Sequence, residues 1–491
     1  MENKFWLFVG VVLSCCTAAQ ANQSHSYFVP RQVTTNSIFE LGLNNYDWYH
    51  RRHAEDSDDR SYYFSAYATP FFQQSTRAKK LSQYFLRCNS ECLTFNEINH
   101  DTNAIESLWF GAMSDLDTNL SSNFSMRPRH RAYGSYFNLS LAKEWEQSAL
   151  WCNLSFAAMG VEHELRMCET LSEQNGPLSN FDLGTISSSD TIIAALNNSE
   201  WNNGRFCPGT LKKGGVDDIQ LKIGYDRYFE NEQSYNHVSP YFVATIPTGE
   251  RQRSLFVFEP IVGSNNWSVG FGLNADYRFY NNDRDSVTWL VDIKYRYVFG
   301  KDQCRTFDLC ANGDLSRYLL VVAQDQVVNT IYGVNFFTIN AHVTPKSTID
   351  FWTALHWEHD AWNVELGYDF WWRQKEVISC KSSLTKDHGI FDLAGSNAVP
   401  LSASTANISQ GPLSPNQAES DSAFVKIRNS DLDLDSAAHP TALSSTIYAA
   451  ADYAFDTQCP TMIGIGMQYE FAHRIAALEQ WGIWAKIGMI F

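Results

Sequence analysis

From Trp267 to Phe279 the chain alternates with a period of two. Trp267, Val269, Phe271, Leu273, Ala275, Tyr277 and Phe279 fall on one side, and Ser268, Gly270, Gly272, Asn274, Asp276 and Arg278 on the other. An extended strand sends successive side chains to opposite faces, so this stretch presents one apolar face and one polar, glycine-bearing face. After the turn NNDRD the pattern returns, with Val287, Trp289, Val291, Ile293, Tyr295 and Tyr297 against Thr288, Leu290, Asp292, Lys294 and Arg296. The two runs read as a hairpin. A second hairpin surrounds EHDA, where Ile349, Phe351, Thr353, Leu355 and Trp357 oppose Asp350, Trp352, Ala354, His356 and Glu358. Its other arm sets Trp362, Val364, Leu366, Tyr368, Phe370 and Trp372 against Asn363, Glu365, Gly367, Asp369 and Arg373.

Further candidate strands run through 37–49, 60–72, 107–115, 131–142, 149–161, 216–230, 237–247, 316–323, 329–341, 444–456 and 461–472, and the tail 481–491 completes the set. Many exceed the five or six residues usual in globular proteins. A strand of about eleven residues rises ~3.3 Å per residue and, tilted by ~45°, spans about 25 Å, the height of the apolar band on an outer-membrane barrel. In water, a sheet this wide with its apolar faces inward would enclose more volume than its side chains could fill. In a membrane the assignment inverts: apolar residues meet lipid and polar residues line a wet lumen. Closure then removes every unpaired edge. Aromatic residues make up 14% of the chain, with 15 Trp, 23 Tyr and 32 Phe. Interfacial girdles account for such an excess. The expectation is an all-β, transmembrane antiparallel barrel of about 14–16 strands.

Lys4, the apolar run Phe5–Leu13 and the small-residue site AQA at 19–21 have the layout of a secretory signal, although VLSC at 12–15 also fits a lipoprotein box loosely. The expected organisation is a signal peptide over 1–21 and one barrel domain over 22–491. With Phe491 at the periplasmic end, the short connections DTQC, EHDA, NNDRD and 231–236 fall on that side. The long polar stretches 162–215, 248–265, 300–315 and 375–443 fall outside, the asymmetry typical of such barrels. One segment fits badly, because 73–106 becomes a long periplasmic excursion. Export implies oxidation, so Cys88 with Cys92, Cys304 with Cys310, and Cys168 with Cys207 are candidate disulfides. The cysteines lack zinc-ligand spacing, and neither a metal nor another cofactor is expected. A net charge of −17 argues against nucleic acid as a partner.

The tail WGIWAKIGMIF places Trp481, Ile483, Ile487, Met489 and Phe491 on one face and ends on a terminal Phe. It resembles the assembly signal of bacterial outer-membrane β-barrel proteins. The resemblance implies residence in the bacterial outer membrane, insertion by a barrel-assembly machinery, and membrane lipid as a permanent neighbour. The long-chain fatty-acid transporter family is similar in size, but SHSYFVPRQVTTN shows no counterpart of its Asn-Pro-Ala hatch motif.

The polar faces supply the functional candidates. Lys222, Asp226, Asp276, Arg278, Asp292, Lys294, Arg296, Asp350, His356, Glu358, Glu365, Asp369 and Arg373 are expected to line the lumen, with His356 opposite Glu365 and Glu358 opposite Asn363. Mixed charges along a channel set the field that selects solutes. GVEHEL places His163 between two glutamates, but no Gly-x-Ser-x-Gly elbow accompanies it, and no catalytic residue is assigned. The expected function is a porin for small hydrophilic solutes. The alternatives are a carrier of hydrophobic compounds, which needs an N-terminal plug, and a surface-interaction barrel acting through its loops.

Overall fold

The computed structural model describes residues 23–43, 62–87, 90–96, 104–110, 119–145, 147–174, 191–231, 234–282, 284–323, 326–384, 387–391, 408, 425–455 and 461–491. The proposed signal segment 1–21 lies outside them. Thirteen strands hydrogen-bond into one sheet, and twelve of these close into a ring. They are β1 (Tyr62–Ser75), β2 (Arg129–Trp145), β3 (Ser148–Glu164), β4 (Ile219–Asn231), β5 (Ser234–Ile246), β6 (Ser268–Asn281), β7 (Asp285–Val298), β8 (Lys346–His359), β9 (Trp362–Arg373), β10 (Ala442–Phe455), β11 (Thr461–Ala472) and β12 (Gln480–Ile490). Each pairs antiparallel with its sequence neighbours, and β12 closes on β1. The seam ends on Phe491, whose N–H and C=O exchange bonds with those of Phe64. The thirteenth strand, Thr210–Val216, takes over from β4 along the upper half of β3.

The faces fall as the alternation requires. Phe271, Leu355, Leu366, Ile483 and Met467 point outward and are exposed, whereas Ser268, Asp292, Lys294, Asp350 and Lys486 point inward. The inward glycines have a packing role. Gly224, Gly272, Gly367, Gly466 and Gly488 sit directly across from Trp151, Tyr241, Tyr448, Trp484 and Tyr67. Each ring covers its partner glycine, where a Cβ would overlap it. Three of these rings carry a polar tip to a buried carboxylate: Trp151 Nε1 to Asp226 at 2.8 Å, Tyr241 Oη to Asp292 at 2.9 Å, and Tyr448 Oη to Glu365 at 2.5 Å.

The wall has twelve strands, not the 14–16 expected, because four candidates lie elsewhere. Residues 37–41 form a short helix inside the lumen, and 44–49 lie outside the described residues. Residues 107–110 form a 3-10 turn above the barrel, and 111–115 again lie outside the described residues. The runs 316–323 and 329–341 supply the strands Leu320–Ala323, Gln326–Tyr332 and Thr338–Thr344, which pair among themselves and with other loop strands. With 37–49 removed from the wall, β1 becomes the first strand of the ring, and the described parts of 76–96 lie at the end opposite Phe491.

The short connections after β2, β4, β6, β8 and β10 all lie at the Phe491 end, and the long ones converge at the other. There the loops build a cap with its own small sheets and a dense apolar core that includes Phe85, Phe124, Trp201, Phe206, Tyr318, Val321 and Phe337. The expected disulfides do not form there. Cys92, Cys168, Cys207, Cys304 and Cys310 are free, and Cys88 lies outside the described residues. Cys304 lies within the strand Lys301–Thr306, whereas Cys310 follows Asp308–Leu309, a strand of a different sheet. Cys168 sits on the strand Met167–Gln174, whereas Cys207 follows a loop tied to Leu196.

Candidate functional site: the strapped lumen

Residues 23–43 run down through the barrel as a strap, from the cap to the end that holds Phe491. At the top, Ser24 Oγ donates to the carbonyl of Phe85 at 2.9 Å. At the bottom, the Leu43 N–H donates to both carboxylate oxygens of Glu365 at 3.2 Å. Between them lies α1 (Ser37–Leu41), where Asn36 accepts from the Ile38 N–H and Gly42 follows the last turn. Its apolar residues Ile38 and Phe39 join a cluster with the lumen rings of Tyr67, Phe71, Tyr136, Trp352 and Trp484. The strap therefore has a small apolar core of its own within the polar lumen.

Charges latch the strap to the wall. Arg31 spans β8 and β9, donating from Nη2 to Asp350 Oδ1 at 2.8 Å and from Nη1 to Asp369 Oδ2 at 2.5 Å. Arg296 on β7 holds the other oxygen of Asp350 at 3.3 Å. Glu40 pairs with Lys222 on β4 and with Lys294 on β7, the latter at 3.4 Å. Lys294 also donates to the carbonyl of Thr35 at 3.1 Å. Lys486 on β12 donates to the carbonyl of Gly42. Between Thr210–Val216 and β4, Asp217 accepts from the Thr34 N–H at 2.9 Å and Asp218 accepts from Gln32 Nε2 at 2.6 Å.

All thirteen lumen candidates face inward. Lys222, Lys294, Asp350, Asp369 and Glu365 touch the strap directly, and Arg296 acts through Asp350. The expected cross-strand pairs are present: His356 lies opposite Glu365, with Nδ1 at 3.2 Å from Oε2, and Glu358 lies opposite Asn363. Asp226 and Asp276 belong to a second network, joined by His237 at 3.1 and 3.5 Å. Arg278 meets Glu358 at 3.6 Å, and Arg373 meets Glu376 at 2.5 Å near the cap. Among the described residues, His163 meets His130 and Phe258 and no Ser, Asp or Cys side chain. Its Nε2 lies 2.8 Å from Nδ1 of His130, and its ring stacks on Phe258 at 3.7 Å.

Arg31 and Glu40, the two charges that hold the strap, are missing from the sequence-level candidates. Arg31 lies outside every alternating run, and Glu40 lies in 37–49, which alternates like a wall strand over only a few residues; Asn36 and Gly42, bracketing one helical turn, are the local signal. On the outer face, a concavity of about 1090 Å³ crosses several strands, lined by Tyr277, Trp289, Leu355, Leu366, Ile447 and Met467 among others. The tail residues Ile483, Ile487, Met489 and Phe491 are exposed on this outer face, and Trp481 packs on Phe72 with centroids 5.5 Å apart.

No family model matches the sequence, and no curated protein matches it significantly. Among solved structures, an outer membrane channel from Pseudomonas putida F1 is similar over 87% of this chain and 95% of its own, with 11% identity and a TM-score of 0.38. A TodX mutant, described as a monoaromatic hydrocarbon channel, is similar over 96% of this chain and 95% of its own, at 8% identity and a TM-score of 0.33. A Pseudomonas aeruginosa FadL homologue covers 88% of this chain and 89% of its own, at 7% identity and a TM-score of 0.29. The physical case stands on the wall itself: a closed antiparallel ring, apolar outside on every strand and polar within. The molecule is a closed twelve-strand antiparallel β-barrel that wears its apolar side chains outside.

Proposed function

We propose that the protein carries hydrophobic compounds across the outer membrane, with the strap as its gate, instead of serving as an open porin for hydrophilic solutes. One observation carries this reading: the lumen-facing charges are dry. Asp226, Asp292, Lys294, Asp350, Glu365 and Asp369 are all 0% exposed. A water-filled channel of diffusing solutes would leave such side chains wet, as in the wide lumens of porins. The apolar concavity on the outer face supports a route that releases its cargo into the membrane. In the same reading, lipid covers that face, and the row Trp481, Ile483, Ile487, Met489 and Phe491 presents the last strand to the assembly machinery.

Reconstitution tests this. In planar bilayers the native protein is expected to show no discrete conductance steps, while proteoliposomes take up a neutral aromatic fluorophore faster than empty vesicles. Glu40→Gln, which leaves Lys222 and Lys294 without their carboxylate, should loosen the strap and produce flickering conductance. Steady open-channel steps from the native protein would overturn the proposal in favour of a porin. Silence together with no uptake would favour a barrel that only anchors its cap.

A further inference from the structure

The basic run RPRHR at 127–131 takes no part in the strap. Arg129 and Arg131 stand on the outward face of β2, opposite Glu164 and Glu162 on β3, and Lys212 on the thirteenth strand stands opposite Glu162. Arg129 and Arg166 share Glu164 at 2.5 and 3.0 Å, and Lys212 meets Glu162 at 2.8 Å. Arg131 differs. Its Nε donates to Gln74 on β1 at 2.8 Å, but Glu162 lies 3.8 Å from Nη1, beyond hydrogen-bond reach. The guanidinium is therefore fixed in place, 32% exposed, with neither Nη group hydrogen-bonded among the described residues. Lys213 points to the opposite face, towards Glu250. Four cations thus divide two carboxylates, a surplus of two positive charges on a chain of net charge −17.

Below Arg131, Tyr133, Leu139, Leu141 and Trp145 are exposed on the outward face of β2. From Tyr133 to Trp145 is twelve residues, about 28 Å along the membrane normal at ~3.3 Å per residue and ~45° of tilt, close to the ~25 Å of one apolar band. Arg131 and Lys212 therefore stand one step above the hydrocarbon, at the level of the headgroups on the cap side. Tyr133, whose ring covers Gly160, supplies the interfacial aromatic. Next to Gly160, Gly214 presents bare backbone, for only the Met159 carbonyl oxygen comes within 4 Å of a Cβ placed there, and Val216 below it is exposed. An acyl chain can lie flat against that strip. Arginine's fork matches phosphate oxygens bidentately, and surplus cations at a membrane surface attract anionic headgroups. Resting on the membrane setting of the wall, and not on what the barrel carries, we propose that this patch binds the phosphorylated headgroup of a lipid in the cap-side leaflet. Arg131 and Lys212 hold the phosphate, and the acyl chains pass down over Gly214 and Val216. The bound lipid ties β2 and β3 to the leaflet at a fixed height.

Equilibrium binding to immobilised full-length protein in neutral detergent tests this with four probes: diphosphoryl lipid A, the same lipid stripped of phosphate, phosphatidylcholine, and inorganic phosphate. Charge-assisted hydrogen bonds predict that the diphosphoryl lipid binds at least ~10-fold tighter than its stripped form, with the difference shrinking as salt rises. Arg131→Gln combined with Lys212→Gln should remove that difference and leave phosphatidylcholine retention unchanged. Arg284→Gln, at the Phe491 end, should leave it intact. Lys212→Glu, at a side chain 65% exposed, repeats the test without touching the bond from Arg131 to Gln74. Inorganic phosphate that binds as tightly, with the same dependence on Arg131, would make the patch a site for a free anion and overturn the lipid. Equal affinity for the phosphorylated and stripped lipids, or indifference to the substitutions in protein that retains heat-modifiable migration, overturns the proposal as well and leaves the transport reading untouched. Protein that folds and stays dissolved without detergent would instead remove the membrane setting on which both rest.

Discussion

In the wall, Phe242, Ile465 and Met467 stand 76, 68 and 65% exposed; in the cap, Leu320, Val321, Val322 and Phe124 are completely buried. The same residue types occupy opposite positions because the two regions face different solvents. In the proposed membrane setting the wall sets its hydrocarbon against lipid, and its charges point inward, where the strap pairs with them. The cap stands in water and folds around an apolar centre like an ordinary globular domain. Apolar surface is therefore a poor guide to where this protein's core lies unless the surrounding medium is specified. The strap lies across the boundary, with Phe28 in the cap core and Ile38 and Phe39 among the lumen rings.

One truncation made in both regions gives the sharpest test of this contrast. Phe124→Ala in the cap leaves a void between Phe95 and Phe206, whose rings lie 6.3 Å from Phe124, and should cost about 3–5 kcal/mol. Phe242→Ala on the wall leaves no void, because lipid closes over the site, so only the transfer part is lost, about 1.5–3 kcal/mol. Denaturant unfolding in micelles, with cap proteolysis read separately from barrel migration, distinguishes them. Equal losses at the two sites would mean that Phe242 is packed against protein. A charge probes the same outer face with an effect of similar size: Leu366→Arg near mid-height of β9 should destabilise the barrel in bilayers by about 2–4 kcal/mol. If that variant inserts and folds as well as the native chain, the outward face does not meet hydrocarbon.

Sequence pattern reveals the wall and largely conceals the cap, for a physical reason. Each wall strand separates two media, so its side chains must alternate, and the twelve alternating runs were legible together with the lumen charges and the His356–Glu365 register. Cap strands are buried on both sides or short, and they lose that signature. YLLVVA at 318–323 is a continuous apolar run with no polar alternate, the mark of a strand with no wet face. Taken as a wall strand, it inflates the count. The strap was misread for the opposite reason. Phe39, Leu41 and Leu43 alternate by chance over too few residues, while Asn36 and Gly42 mark one helical turn. Arg31 and Glu40 then became invisible as latches, because nothing local says that a segment preceding the first strand returns through the lumen.

The smallest expected effect tests how dry the cap core is. Glu106 is fully buried there, and neither of its carboxylate oxygens meets a donor among the described residues. Burial pushes its carboxyl up to about 8, with the Trp109 indole beside it pulling the other way. The folded cap therefore keeps a proton that the unfolded chain releases near the ordinary value of 4.5. Linkage then fixes the sign: cap stability is greatest below that ordinary value, declines as pH rises through the interval up to about 8, and levels off above it. Glu106→Gln cannot ionise and should abolish that slope, so the variant's advantage in cap protease resistance grows from mildly acidic to mildly alkaline buffer while barrel migration stays unchanged. A native cap whose resistance shows no such slope, or a variant that declines in parallel with it, would place water or a cation beside Glu106 and make the cap wetter at its centre than its apolar composition implies.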